Sequence, residues 1–217
     1  MGRRGAVWGS VAGNVSRVPH VLVPPARFER WVSNFETGHG GAALSALDGA
    51  LHGAAGDGST FTARLPFATP YDAMPEVAAF LAAVETPGEW GVLLVRKGGF
   101  AVARMAGPTM VEHKIGQRHV QGRTKAGGQS QQRFARRRDN QARQAYEAAA
   151  DHAARILGRG PLVTGGDHPA VIEVLSDQRL AGLQVVEPWL PVPDPRRAVL
   201  DQAILDAQAV AVHVTNA

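Results

Sequence analysis

Residues 90–105 read WGVLLVRKGGFAVARM, and they form the clearest local pattern in the chain. Two apolar runs, Trp90 to Val95 and Phe100 to Met105, flank a Lys97-Gly98-Gly99 turn. Short apolar runs joined by a glycine-containing turn are typical of a β-hairpin. The hairpin is therefore predicted to begin a sheet, and the neighbouring segments are interpreted around it.

The segments after the hairpin predict a third strand and a long helix. Thr109 to Arg123 begins with alternating apolar and charged residues, as in a strand with one wet face. Towards Arg123 it becomes polar and basic, which favours a strand that leaves the sheet as a protruding loop. Ser130 to Leu157 carries a narrow stripe at helical spacing. The stripe consists of Phe134, Arg138, Ala142, Ala145, Ala149, Ala153 and Ile156, with Tyr146 and Leu157 beside it. Its small residues predict that the second half of this helix lies against the sheet, while the Arg-rich first half stands clear of it.

Shorter elements continue to the end of the chain. They are a strand at Leu162 to Thr164, a helix at Pro169 to Ser176, a strand at Leu183 to Val186, a helix at Pro195 to Ala207 and a strand at Val210 to Val214. Strands that alternate with helices indicate an α/β sheet.

The first half of the chain gives weaker signals. Helices are predicted at Ala26 to Phe35 and at Asp72 to Val84, and a strand at Thr60 to Phe67. Ala42 to Leu51 is predicted as one strand, although its alanines suit a helix equally well. Residues 1–17 are predicted to be a flexible tail, and residues 18–217 a single domain.

Positive charge is concentrated in one part of the sequence. Residues 114–143 contain nine basic side chains and one acid, Asp139, whereas the rest of the chain has 14 basic and 18 acidic side chains. A localised basic region is typical of proteins that bind a phosphate backbone, and RNA is the expected partner. The alternative is that the arginines only form a solvated helix face.

Gly127-Gly128-Gln129 lies between the basic strand and the Arg-rich helix. Two glycines let the backbone adopt positive φ and approach a ligand closely. The glutamine amide both donates and accepts hydrogen bonds, so it suits the orientation of a water molecule or the stabilisation of an oxyanion. This tripeptide is the candidate catalytic element.

Other candidate sites are better explained by structure. Asp167 precedes His168 and Pro169, an order that predicts a helix N-cap, with a phosphate or metal loop as the alternative. His113 and His119 share strand parity but have no third ligand nearby in sequence, so no metal site and no cofactor are predicted.

Several classes of protein are excluded by what the sequence lacks. It has no cysteine, so disulfides, thiolate metal sites and cysteine nucleophiles are absent. It has no P-loop, no G-x-S-x-G and no H-E-x-x-H motif. No apolar run approaches the roughly 20 residues that span a bilayer, so a cytoplasmic protein without membrane contact is expected.

The order of basic strand, Gly-Gly-Gln and Arg-rich helix carries a family resemblance. The stretch TKAGGQS at 124–130, followed by QQRFARRR at 131–138, resembles the catalytic central domain of archaeal and eukaryotic-type peptide-chain release factors. It is more similar still to the VLRF-type peptidyl-tRNA hydrolases of ribosome quality control, in an actinobacterial form. Codon-reading and factor-binding domains are not seen, so stop-codon recognition is not expected.

The resemblance implies an RNase H-like α/β fold, a mixed sheet flanked by helices, with a protruding Gly-Gly-Gln loop. It implies that Gly127, Gly128 and Gln129 enter the peptidyl transferase centre of the large ribosomal subunit, formed by 23S rRNA, and release a stalled chain from peptidyl-tRNA. The candidate RNA-binding residues are Arg123, Lys125, Arg133, Arg136, Arg137, Arg138 and Arg143. A non-catalytic ribosome- or tRNA-binding module and an RNase H-like nuclease are the alternatives.

Overall fold

The computed structural model describes residues 20–117 and 129–217, with the side chains of residue 20 and of residues 129–142 left aside. In chain order the elements are β1 (His20–Val23), α1 (Pro25–His39), β2 (Ala43–Leu47), β3 (Ala50–Ala54), β4 (Thr60–Arg64), α2 (Val77–Ala82), β5 (Glu89–Arg96), β6 (Gly99–Ala106), β7 (Thr109–Gln117), α3 (Gln129–Ile156), β8 (Pro161–Gly166), α4 (His168–Leu175), β9 (Gln184–Leu190), α5 (Arg197–Ala207) and β10 (Val210–Thr215). They form two five-stranded sheets flanked by helices. The predicted α/β class is confirmed, whereas a second sheet was not predicted.

The first sheet is antiparallel and has the strand order β1-β10-β4-β3-β2. Helix α1 packs on one of its faces because Phe28, Val32 and Phe35 recur at helical spacing and are buried there. The predicted helix at Ala26 to Phe35 is confirmed and extends to His39.

Two predictions in the first half of the chain are wrong. The single strand at Ala42 to Leu51 is two strands, β2 and β3, joined by a two-residue turn at Asp48 and Gly49. Both turn residues have positive φ, 50° and 69°, as a type I′ hairpin turn requires. The helix predicted from Asp72 begins only at Val77, because Pro75 disfavours helical geometry in the residue before it.

The second sheet has the order β7-β6-β5-β8-β9. Strands β5, β6 and β7 form an antiparallel meander, and β8 and β9 continue it in parallel with β5. Helices α3 and α4 cover one face, where they pack on Leu93 and Val95, while α5 covers the other face over Val92 and Leu94. Burial on both faces explains why β5 is a nearly continuous apolar run.

Helix α3 is the longest element, with 28 residues. Ala145, Ala149, Ala153 and Ile156 are buried against the sheet, which confirms the predicted stripe over the second half of the helix. The predicted stripe residues Phe134, Arg138 and Ala142 have side chains outside the described set.

The two sheets meet at a short segment after β4. Phe67, with φ of 59°, is buried in the core beneath α5, and its ring contacts Trp90 edge-to-face at a centroid distance of 4.9 Å. The last strand, β10, was expected in the sheet of the second half, but it lies between β1 and β4 of the first sheet. The single domain over 18–217 stays a prediction, and the tail 1–17 lies outside the described residues. Over the described ranges, no helix combines the length and apolarity needed to cross a membrane.

Candidate functional site

The Gly-Gly-Gln segment connects two well-defined elements of the second sheet. Strand β7 ends at Gln117, which pairs with Gly99 at the start of β6, and helix α3 begins at Gln129. Residues 118–128 lie outside the described residues, and with them the candidates Arg123, Lys125, Gly127 and Gly128. The chain therefore enters this segment from the end of the sheet at which the β5–β6 turn lies.

The carboxyl ends of the parallel strands β5, β8 and β9 lie at the same end of the sheet. Val95 of β5 pairs with Gly166 of β8, so the β5–β6 turn lies beside the junction of β8 and α4. Gly166 has φ of +103°, and a Cβ atom there would lie 2.2 Å from the Val95 carbonyl oxygen. Only glycine allows this close approach. In open α/β sheets the carboxyl ends of parallel strands are where ligands bind, and we call this region the carboxyl edge.

Asp167 and Arg96 hold the carboxyl edge together. One Asp167 carboxylate oxygen, Oδ1, lies 3.3 Å from Arg96 Nη2. The other, Oδ2, accepts a hydrogen bond of 3.3 Å from the backbone N–H of Lys97. The Asp167 backbone N–H donates to the Val95 carbonyl oxygen at 2.8 Å. The β5–β6 turn is thus fixed to the start of α4 by both the side chain and the backbone of one residue.

This arrangement corrects the predicted role of Asp167. The residue occupies the N-cap position of α4, but its side chain makes no capping hydrogen bond. The carboxylate interacts with Arg96 and with the N–H of Lys97 instead. A charged partner on a neighbouring strand outcompetes the neutral N–H groups of the helix, because charge-assisted hydrogen bonds are the stronger ones.

Arg96 also joins a third segment to the edge. Its Nη1 donates to the Val192 carbonyl oxygen at 2.9 Å, and its Nε lies 3.8 Å from Asp194 Oδ1. These two residues belong to the connection between β9 and α5. Two carboxylates therefore neutralise Arg96, while the neighbouring Lys97 side chain is exposed and has no ion pair among the described residues.

Helix α3 approaches the carboxyl edge near its middle. Burial raises the pKa of Tyr146 above its usual range, with further contributions from the negative charges of Asp167 and Glu173. One turn and a half later, His152 stacks on Phe100 at a centroid distance of 5.6 Å. Burial lowers the pKa of His152, and the positive charges of Lys114 and Arg155 add to this effect. The contact of α3 with β6 and β7 therefore favours a neutral imidazole near pH 7.

The described basic residues of the 114–143 region are at the surface. Lys114 on β7 and Arg143 on α3 are both exposed. Arg133, Arg136, Arg137 and Arg138 belong to α3, but their side chains are outside the described set, as is that of Gln129. The RNA-binding role of Arg143, like the roles of the other candidates, stays a prediction.

His113 does not belong to a metal cluster in the part of the chain that the structure describes. Its Nε2 atom lies 3.3 Å from Arg197 Nη1, and its predicted partner His119 lies in the segment 118–128. Across residues 20–117 and 129–217, no group of three or more His, Asp or Glu side chains has a geometry that could hold a metal ion.

The sequence interpretation missed the Arg96–Asp167 pair. Each partner had a local signal in the sequence. Arg96 precedes Lys97 at the hairpin turn, and Asp167 follows two glycines after a predicted strand. Their contact depends on β5 and β8 being parallel neighbours, which the sequence does not reveal.

Comparison with known proteins places these elements in a family. The family model described as Actinobacteria/chloroflexi VLRF1 release factor matches residues 88–213. The chain belongs to this family. The match begins just before β5 and includes the entire second sheet, the carboxyl edge and the Gly-Gly-Gln segment.

Two further comparisons add little. No curated protein matches the chain. A solved structure titled "Archaeal protein" is similar at 14% sequence identity with a TM-score of 0.34, over 72% of this chain and 51% of that protein. The chain thus spans about half the length of this solved structure.

Proposed function

We propose that the protein is a peptidyl-tRNA hydrolase that releases stalled nascent chains from the large ribosomal subunit, with Gln129 at the reacting ester. The observation that carries the proposal is the family match, because residues 88–213 include Gly127-Gly128-Gln129 and the basic region around it. The fold of the second sheet adds support, because β7 ends at the carboxyl edge directly before this segment and the long helix α3 begins at its glutamine.

The chemistry requires little from the protein beyond positioning. The bond between peptide and tRNA is an activated ester, so its hydrolysis needs an aligned water and donors for the tetrahedral oxyanion. The Gln129 amide supplies a donor and an acceptor on one side chain. Gly127 and Gly128 let the backbone approach the terminal adenosine closely. The water attacks the ester carbonyl, the bond to the ribose oxygen breaks, and the peptide leaves as a carboxylic acid.

The basic region serves RNA binding in this proposal. Arg123, Lys125 and the Arg133 to Arg143 arginines contact the RNA backbone of the peptidyl transferase centre and of the acceptor end of tRNA. Arginine suits this role because its planar guanidinium binds phosphate through two hydrogen bonds. Release of counterions then makes binding weaken steeply as salt increases.

The protein architecture fits this task. The mixed order β7-β6-β5-β8-β9, with α3 and α4 on one face and α5 on the other, supports the RNase H-like interpretation of the second sheet. Among the α3 side chains that the structure describes, the first buried one is Ala145, 16 residues after Gln129. At about 1.5 Å per residue the intervening helix is roughly 24 Å long. A protruding first half of α3 would carry the Gly-Gly-Gln segment away from the body of the protein.

The proposal is tested by comparing Gln129→Ala with Gln132→Ala, a matched loss of a glutamine side chain on the same helix. Both variants are expected to bind the 50S subunit with the wild-type salt dependence, and only Gln129→Ala is expected to lose peptide release. Equal release by both variants would contradict a catalytic Gln129. Binding without release by any of the proteins would favour the non-catalytic binding module, and a flat salt dependence would contradict the RNA interface.

A further inference from the structure

Helix α3 lies on the second sheet through a smooth surface. The buried side chains of its second half are small with one exception, and they are Ala145, Ala149, Ala150, Ala153 and Ile156. Helices usually pack by inserting ridges of side chains into grooves. Alanines form only shallow ridges, so they allow a close approach but specify the direction of the helix weakly. The direction of α3 therefore depends also on contacts outside this stripe.

One such contact joins α3 to strand β7. Arg155, in the last turn of α3, donates a hydrogen bond from Nη1 to Glu112 Oε1 at 2.5 Å. Glu112 belongs to β7, five residues before the strand ends at Gln117. The pair therefore connects the two elements that flank the Gly-Gly-Gln segment, the strand that leads into it and the helix that begins at its glutamine.

Glu112 is part of a row of alternating charges across the sheet. On β6, Arg104 has its Nη2 atom 3.9 Å from Glu112 Oε2 and its Nη1 atom 4.0 Å from Oε1 of Glu89 on β5. Glu89 lies against the residues that follow α3, because a Cβ atom on Gly158 would collide with its carboxylate. Arg104 thus holds Glu112 in place, and Glu112 offers Arg155 a fixed partner.

A second ion pair holds α3 from its other side. Helix α3 contacts β6 and β7, whereas α4 contacts β5 and β8 on the same face of the sheet, so α4 lies on the side of α3 away from β7. Asp151, one turn before Arg155, has its Oδ1 atom 2.7 Å from Nη2 of Arg179, a residue that follows α4. Asp177 fixes this arginine, since its Oδ2 atom lies 2.7 Å from the same nitrogen. The last turns of α3 are therefore held between β7 and the segment after α4.

A small change in the direction of α3 moves its start a long way. The helix between Gln129 and buried Ala145 is about 24 Å long. A tilt of about 10° displaces the far end of such a helix by roughly 4 Å. Misplacement of a reacting group by about 1 Å can lower a rate about a hundredfold. The place of Gln129 is thus sensitive to the contacts at the opposite end of the helix.

We infer that Arg155 and Glu112 are positioning residues for peptide release. Their ion pair, together with the Asp151–Arg179 pair on the other side, sets the direction of α3 and with it the place of Gln129. Neither residue takes part in the reaction itself. The role in release rests on the proposed function, whereas the effect of the ion pair on the direction of α3 is independent of it.

The direction of α3 is measured on the full chain by pulsed electron paramagnetic resonance between two spin labels. The chain has no cysteine, so Gln132→Cys on α3 and Val185→Cys on β9 provide two unique labelling sites. Arg155→Glu places a carboxylate against Glu112, and the repulsion between like charges is expected to shift or broaden the distance distribution. Arg155→Lys keeps the positive charge, and since the contact uses a single nitrogen, it is expected to give the wild-type distribution.

The effect on function is measured as single-turnover release of a labelled peptide from 50S–peptidyl-tRNA complexes at saturating protein. Arg155→Glu is expected to release the peptide about tenfold more slowly than the wild type, and Arg155→Lys at the wild-type rate. Adding Glu112→Gln to Arg155→Glu lets the introduced amide donate to the introduced carboxylate. This double variant, which is free of the repulsion, is expected to return both the rate and the distance distribution towards the wild type.

The matched control is Arg159→Glu, which makes the same change in net charge. Arg159 is exposed, lies just beyond the end of α3 and makes no ion pair with the described residues. This variant is expected to keep the wild-type rate and distance distribution. Because the Arg155 side chain is 59% exposed, its ion pair adds little to stability, and every variant is expected to unfold at the wild-type temperature.

The outcomes separate this inference from the proposed function. A wild-type distance distribution in Arg155→Glu, or an equal change in Arg159→Glu, would overturn the inference, as would release by Arg155→Glu at the wild-type rate. A distribution that changes in Arg155→Glu alone supports the directing role of the ion pair even where no protein releases peptide, a result that would remove only the hydrolase.

Discussion

Replacing Gly166 with alanine tests whether the carboxyl edge is built as the structure shows. Gly166 has φ of +103°, and a Cβ atom would lie 2.2 Å from the Val95 carbonyl oxygen and 3.0 Å from the Val95 carbonyl carbon. The sparsely populated backbone conformation costs a side-chain-bearing residue about 1–3 kcal/mol. The contact involves the backbone of central strand β5, which cannot yield as a flexible side chain does, so overpacking adds about 1–3 kcal/mol. Together the change is expected to lower the free energy of unfolding by about 2–6 kcal/mol.

The assay is urea unfolding followed by circular dichroism. With a denaturant slope of about 2 kcal/mol per M, this destabilisation moves the unfolding midpoint down by roughly 1–3 M. The matched control is Gly182→Ala, because a Cβ atom there meets nothing within 4 Å. A loss below about 0.5 kcal/mol in Gly166→Ala, within the range of ordinary surface changes, would refute the close approach of β5 and β8 at this point. So would an equal loss in Gly182→Ala.

Two further predictions concern other contacts of the fold. Phe67→Ala empties the buried position beside Trp90, and calorimetry is expected to show a free energy of unfolding lower by about 3–5 kcal/mol. The control Leu205→Ala removes a side chain that is 63% exposed and should change this free energy by less than about 0.5 kcal/mol. Equal effects would contradict the burial of Phe67. Hydrogen bonds from Arg179 lower the pKa of Asp177 to about 2, so the stability from this pair is present above the ordinary aspartate pKa and is lost as the pH falls towards 2. A carboxyl NMR titration should show this midpoint in the wild type and a higher one in Arg179→Ala, which keeps only the hydrogen bond from the backbone N–H of residue 179. A wild-type midpoint near 4 would contradict the pairing.

The β5–β6 hairpin and the second half of α3 could be predicted because their signals are local. Residues 90–95 of β5 are apolar without interruption, and β6 is apolar except for Arg104. The turn between the strands contains glycines, so neighbouring residues alone define the hairpin. The second half of α3 follows in the same way from small residues at helical spacing. In each of these cases the apolar positions along the chain are the positions that are buried, and the structure confirms the prediction.

The first sheet could not be predicted, because its pairing is not local. Strand β10 lies between β1 and β4, which are more than 140 residues away along the chain, and no periodicity encodes such a pairing. The β2–β3 hairpin was missed for a different reason. Its Asp48-Gly49 turn is a strong hairpin signal, but the alanines around it have weak strand propensity.

The candidate site also has a part that local sequence reveals and a part that depends on non-local contacts. Gly127-Gly128-Gln129 and the basic region are visible as a motif and as a charge pattern, and the family match includes both. The surroundings of the site depend on tertiary contacts that a motif does not contain. Asp167 illustrates this, because a local rule assigns its side chain to the helix, whereas Arg96 on a neighbouring strand binds it.

The most direct test of the account is single-turnover release of a labelled nascent peptide from purified 50S–peptidyl-tRNA complexes at saturating protein. Wild type and Gln132→Ala are expected to release the peptide at the same rate, and Gln129→Ala is expected to lose release by at least about a hundredfold, as when a donor to an oxyanion is removed. Release by Gln129→Ala at the wild-type rate would contradict the account, because the ester would then be hydrolysed without the glutamine amide.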